Sequence, residues 1–121
     1  MRIALLADVH GNYVALQAVL EDLALEAVDC YWFLGDAVGY GPRPRHCLQE
    51  LARLVDTDQP WLAGNHDRGV GYLVDGAACE DGKLRSIIDD GEACEVARYH
   101  ASELRDWRDH SWYTRMVTAP T

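Results

Sequence analysis

The sequence predicts an α/β domain, a parallel β-α-β-α-β unit followed by a loop and a helix. Three short apolar runs, Ile3–Ala7, Cys30–Leu34 and Pro60–Ala63, each stop at a group of polar residues. Between them lie two stretches whose apolar side chains recur at helical spacing. Strands that alternate with helices form a parallel sheet with right-handed crossovers, and such strands read as continuous apolar runs because both faces are covered.

The first run ends at Asp8. Gly11-Asn12 follows, with Asn12 suited to cap a helix. Leu16, Val19, Leu20 and Leu23 then recur at i, i+3, i+4 and i+7, which predicts an amphipathic helix running to Val28. The second run ends at Gly35-Asp36, and a Gly/Pro-rich loop leads to Pro44. Leu48, Leu51, Ala52 and Val55 predict a second helix starting at Pro44, where proline fits the first turn. The third run ends at Gly64-Asn65-His66-Asp67, closing a βαβαβ core over residues 1–67. Residues 68–92 are rich in glycine and acids without a period, and read as a long surface loop with a helical turn near Leu84–Ile88. Residues 93–121 read as a helix over 93–108, with Ala93, Val96, Ala97, His100, Ala101 and Leu104 on one stripe, and a mixed tail.

The 121 residues suffice for one domain. With 49% apolar and 26% charged residues, the composition is that of a globular protein and excludes disorder, a fibre and a disulfide scaffold. The net charge is −9, and seven of the acids fall within residues 75–95. No basic stripe is present, which excludes strong general binding to nucleic-acid backbone. A chain this acidic that handles phosphate needs bound cations to offset its charge. The four cysteines, Cys30, Cys47, Cys79 and Cys94, form no C-x-x-C pair, which argues against a zinc ribbon or a thioredoxin-type site. No apolar stretch approaches the ~18–20 residues of a membrane span. With no secretory signal, the expected location is cytoplasmic, with reduced thiols.

In an open parallel sheet, ligands bind beyond the carboxyl ends of the strands. Those ends carry Asp8 and His10, then Asp36, then Asn65, His66 and Asp67. Carboxylates, imidazoles and an amide oxygen suit manganese, magnesium, iron or zinc better than copper. A strand-end carboxylate can bridge two ions, and two ions about 3.5–4 Å apart can clamp a phosphoryl group and activate water near neutral pH. Taken singly, these residues are ordinary: Asp36 alone reads as a cap or loop acid. His46 reads as a solvent-facing helix residue, His100 as a core histidine and His110 as a tail residue without an evident partner. Tyr40 reads as a packing residue, or as one that stacks on a substrate beside the site. Gly76 and Gly82-Lys83 do not form a phosphate loop, because the spacing is wrong and Leu84 replaces the needed hydroxyl.

Asp8-Val9-His10-Gly11-Asn12, Gly35-Asp36-Ala37-Val38-Gly39-Tyr40-Gly41-Pro42 and Gly64-Asn65-His66-Asp67 together resemble the motifs of the calcineurin-like metallophosphoesterase superfamily. The Gly-Tyr-Gly-Pro extension is similar to that of its small bacterial and archaeal phosphodiesterases. The resemblance is specific over residues 1–67. It implies the N-terminal half of an α/β/β/α sandwich. It places Asp8 and His10 on one metal, Asp36 between two metals, and Asn65 on the second metal and near the phosphate. His66 would bond a phosphate oxygen or protonate the leaving group, and Asp67 would orient His66. The implied reaction is attack of a metal-bound hydroxide on a phosphate mono- or diester. The implied cofactors are two divalent ions, manganese first, with iron, zinc, nickel or magnesium as alternatives. The implied substrate is a small phosphate ester or a nucleotide. The family continues with a further histidine and a G-H-x-H motif, which no residues after 67 match. Residues 1–121 therefore read as one truncated domain that calls for self-association or a complementing C-terminal half. The alternative is a non-catalytic half serving as a metal-binding or interaction module. A receiver-type phosphoacceptor domain, similar in length, needs a lysine at a later strand end, and the single lysine here is Lys83 in the acidic segment.

Overall fold

The computed structural model describes residues 1–88 and 91–121. Strands β1 (Ile3–Leu6) and β2 (Cys30–Phe33) pair in parallel, with Ile3 opposite Cys30 and Leu6 opposite Phe33. The ladder runs on past both strand ends. The amides of Asp8, His10 and Gly11 donate to the carbonyls of Gly35, Asp36 and Ala37 at 2.8–3.0 Å.

The third expected strand is reduced to one bridge, between Phe33 and Trp61, so the described sheet has two strands. Pro60 has no N–H to offer, and the Ala63 amide donates to Pro120 rather than to β2. The segment still lies beside β2, its Trp61 ring 5.1 Å from that of Phe33.

Helix α1 (Tyr13–Leu23) is capped by Asn12, whose side chain accepts from the Ala15 amide at 3.0 Å. It stops short of Val28. The Leu25 and Glu26 amides bond back only three residues, and Ala27 turns left-handed (φ 51°), which redirects the chain into β2. Helix α2 (Pro44–Leu54) starts at Pro44 as the sequence predicts and buries Cys47, Leu48 and Leu51.

The expected loop over residues 68–92 holds most of a helix the sequence did not predict, α3 (Asn65–Val74), while the helical turn expected near Leu84–Ile88 lies slightly earlier as α4 (Gly82–Arg85). Gly69 and Gly71 disguise α3, because glycine is a poor helix former. Packing demands Gly69: a Cβ there would run into the Ile88 side chain. Asp89 and Asp90, part of the expected acidic loop, lie outside the described residues. Helix α5 (Gly91–Leu104) buries Ala93, Ala97, His100, Ala101 and Leu104 of the predicted stripe, with Val96 half-buried. The helix expected over 93–108 ends at Leu104 and passes into a 3-10 turn (Arg105–Trp107), and the expected mixed tail holds α6 (Ser111–Thr118), which buries Trp112, Tyr113 and Met116. Arg115 fastens α6 to the third segment, its guanidinium 4.7 Å from the Trp61 ring and donating to the carbonyls of Val55 and Asp56.

The core gathers Phe33, Leu48, Leu51, Val70, Leu104 and Met116 between one sheet face and the helices. The opposite face is open, with Leu5 59% and Leu34 41% exposed. His46 is half-buried against Tyr13 rather than solvent-facing, at 5.4 Å between rings. His110 packs against Trp107 and Trp112. Among the described residues no helix is long and apolar enough to cross a membrane.

The expectation of reduced thiols fails for one pair. Cys79 and Cys94 form a disulfide, their Cα atoms 6.1 Å apart, because the turn after α3 folds back along α5. Cys30 and Cys47 are free, and burial pushes the Cys47 thiol up to about 12, which leaves it unreactive. Alkylation of the denatured chain without reductant should therefore label Cys30 and Cys47 alone, and all four cysteines after reduction, by mass spectrometry. Full labelling without reductant would refute the pairing.

Candidate metal centre

The extended ladder decides where the strand-end side chains go. It sets residues 8–11 alongside residues 35–37, so Asp8, His10 and Asp36 meet although β1 and β2 are far apart in sequence. All three adopt left-handed backbone, with φ of 55°, 49° and 62°. Each such L-residue costs about 1–2 kcal/mol, and strain of this kind persists where the surroundings hold it and gathers at functional sites. One ligand atom from each of the three side chains lies within 4.8 Å of the others.

The tautomer of His10 follows from its partners. Its Nδ1 lies 2.9 Å from the Val38 carbonyl, so Nδ1 carries the proton and donates. The lone pair is left on Nε2, which lies 3.3 Å from Asp8 Oδ1 and 3.9 Å from Asp36 Oδ2. A carbonyl that fixes the outer ring nitrogen is what a metal-binding imidazole needs. Asp36 is buried. Its Oδ1 accepts from the His66 amide at 3.0 Å, which leaves Oδ2 turned toward His10. Two carboxylates and one correctly protonated imidazole fit a divalent ion of hard to borderline character.

Asn65 and His66 open α3. Asn65 is exposed, and its amide donates to the Ile87 carbonyl at 3.1 Å, leaving Oδ1 as its ligand atom. The His66 ring lies 5.0 Å from that of His10 and 4.8 Å from that of Tyr40. Burial, against the opposing charge of Asp36, lowers its pKa. Its Nδ1 is buried without a partner, and a Cβ on Gly39 (φ 94°) would sit 2.6 Å from that atom. An unpaired buried nitrogen costs roughly 1–3 kcal/mol and calls for an explanation in function.

Asp67 does a different job from the one the resemblance implied. It is fully buried, and its carboxylate accepts four backbone N–H groups, from Asp36 (2.7 Å), Ala37 (2.9 Å), Val38 (3.2 Å) and Gly64 (3.0 Å). Burial pushes its pKa up to about 6 against the pull of these donors. It therefore holds the backbone of the Asp36 loop and the start of α3, rather than the ring of His66.

His100 is buried in the core, as its apolar stripe suggests, but its partners lie about 60 residues away in sequence. Its Nδ1 accepts from the Gly39 amide at 2.9 Å, and its Nε2–H donates to the Gly41 carbonyl. These bonds require a neutral ring, and burial lowers its pKa in the same sense. A histidine on α5 thus pins the Gly39-Tyr40-Gly41 loop. The signal in the sequence was a glycine pair and a distant histidine, which only the fold joins.

The calcineurin-like phosphoesterase family model matches residues 1–116. An uncharacterized protein of Methanocaldococcus jannaschii is 44% identical over 68 residues, which are 56% of this chain and 27% of that protein. A symmetrical bis(5'-nucleosyl)-tetraphosphatase of Baumannia cicadellinicola is 32% identical over 103 residues, 84% of this chain and 33% of that enzyme. Among solved structures, a metallophosphoesterase from Sphaerobacter thermophilus superposes with a TM-score of 0.70 and 31% identity, over 99% of this chain and 41% of that one. The chain thus spans a third or less of the curated relatives it matches here.

The His100 clamp makes a prediction. His100→Ala strands a buried amide and a buried carbonyl, and should lower unfolding free energy by about 2–4 kcal/mol in urea titrations near pH 8. Because the folded pKa lies below the ordinary 6.5, the clamp is whole above pH 6.5 and is lost as pH falls through the folded value. The gap between wild type and variant should therefore narrow in acid. A gap that widens in acid would refute the neutral ring.

Proposed function

The chain belongs to the calcineurin-like phosphoesterase family, and we propose that it carries the metal- and phosphate-facing residues of a metal-dependent phosphoesterase acting on phosphate mono- or diesters. The observation behind this reading is the Asp8–His10–Asp36 cluster, with the lone pair of His10 directed at both carboxylates. Asp8, His10 and Asp36 would hold one divalent ion, and Asp36 and Asn65 a second. Such ions, when bound, polarise a phosphoryl oxygen and lower the pKa of water. We favour manganese because the donors are mostly oxygens.

The chain's own residues do the rest. Asp36 uses Oδ1 to hold the start of α3 and offers Oδ2 to the cluster. His66, kept neutral by burial, can bond a phosphate oxygen through its ring N–H, whereas giving a proton to the leaving group would require its imidazolium form, which burial disfavours. Asp67 fixes the distance between these two by bonding the backbone on both sides. The tetraphosphatase relative supports a nucleotide or another small phosphate ester as substrate.

Three side chains here serve the first ion and two the second. The Leu5–Leu34 face is open, and the relatives extend well beyond the matched region. We assign the further ligands and the cover of that face to a complementing C-terminal half.

Calorimetric titration with Mn²⁺ tests the reading. Wild type and His110→Ala should bind alike, and Asp36→Asn should bind at least about tenfold more weakly. Mn²⁺-dependent hydrolysis of a chromogenic phosphodiester should fall with it. No Mn²⁺ binding by wild type, or equal binding by Asp36→Asn, would overturn the assignment. Binding without turnover would favour the alternative of an incomplete, metal-binding half.

A further inference from the structure

We propose that Tyr40 is a specificity-determining residue, an open aromatic platform beside the metal centre that stacks on a planar ring of the substrate and so selects nucleotides over sugar phosphates. The proposal rests on the phosphoesterase reading of the adjoining site.

Position comes first. The Tyr40 ring lies 5.2 Å from that of His10, edge-on, and 4.8 Å from that of His66. Yet 54% of the residue remains exposed. One part of the ring is seated on two site imidazoles and the rest faces solvent.

Backbone conformation is the second observation. Tyr40 has φ 64°, in the left-handed region. Glycines stand on both sides of it, and glycine would take this conformation without strain. The loop thus places its one large side chain where an L-residue is costly. A strained residue retained beside a site is a sign of use.

Rigidity is the third. The Gly41 amide donates to the His10 carbonyl at 2.6 Å, the Arg43 amide donates to Gly11 at 2.9 Å, and His100 grips Gly39 and Gly41. The ring is therefore held ready before a ligand arrives, which reduces the ordering cost of binding.

Chemistry then names the ligand. A tyrosine face stacks on any nucleobase, and the contact does not depend on charge. That suits a chain with net charge −9, which is poor in cations to grip a leaving group. A saturated sugar offers the ring no π partner.

The test compares adenosine 5'-monophosphate with ribose 5-phosphate, both titrated calorimetrically into the full chain with Mn²⁺. Wild type should favour the nucleotide about tenfold. The ratio should fall to about 1 in Tyr40→Leu and persist in Tyr40→Phe, which keeps the ring. A ratio cancels any general damage to phosphate binding. Equal affinities in wild type, or a preference that survives Tyr40→Leu, would overturn the proposal. If neither phosphate binds, the phosphoesterase reading fails, and adenosine alone still tests Tyr40. Its ring resonances should then shift on addition of adenosine in NMR spectra of the metal-free chain, and an unmoved ring would overturn the proposal.

Discussion

The carboxylate of Asp67 is the constraint on which the rest of the site depends. Its two oxygens accept four amides from two segments that no strand pairing joins, the loop at Asp36–Val38 and the start of α3 at Gly64. An uncompensated buried charge is costly, but one whose acceptor sites are filled by N–H groups is held in place by them. These bonds keep Asp36 in its left-handed conformation, and Asp36 in turn accepts from the His66 amide. The second and third motif-bearing segments thereby become one unit, although the sheet itself reaches the third with a single bridge.

A second constraint comes from the other side. His100 reaches the Gly39-Tyr40-Gly41 loop across about 60 residues of sequence, while the Val38 carbonyl in the same loop selects the tautomer of His10. A core contact on α5 therefore bears on the tautomer of His10 at the end of β1. The segment around α4 has a similar part. Ile87 holds the Asn65 amide, Ile88 fills the space that Gly69 leaves on α3, and the Cys79–Cys94 bond closes this segment onto α5. Among the described residues, the helices after residue 67 thus support the site without placing a further His, Cys, Asp or Glu in the Asp8–His10–Asp36 cluster.

The division of labour explains how the contacts within this chain present the site. Strain at Asp8, His10, Asp36 and Tyr40 is held by backbone hydrogen bonds and buried side chains within the chain itself. The open face with Leu5 and Leu34 is on the side of the sheet away from the helical core, so a further layer can be added there without disturbing the Asp67 and His100 contacts.

Local physics was legible in the sequence. Asn12 before an apolar period predicts α1, Pro44 predicts the start of α2, and the alanine and leucine stripe predicts α5. The strand-end motifs were legible too, because a parallel sheet brings successive strand ends to one edge, and Asp8, His10 and Asp36 meet there. Helix α3 was not legible, because its glycines answer to Ile88 rather than to helix propensity. The third strand was overestimated, because the Ala63 amide goes to Pro120. The partners of Asp67 and His100, the disulfide and the half-exposed seat of Tyr40 depend on residues 15 to 61 positions away. Periodicity, capping and turn chemistry act over a few residues and are written in the chain. Which carbonyl fixes a tautomer, and which carboxylate gathers four amides, is decided only when distant segments pack together.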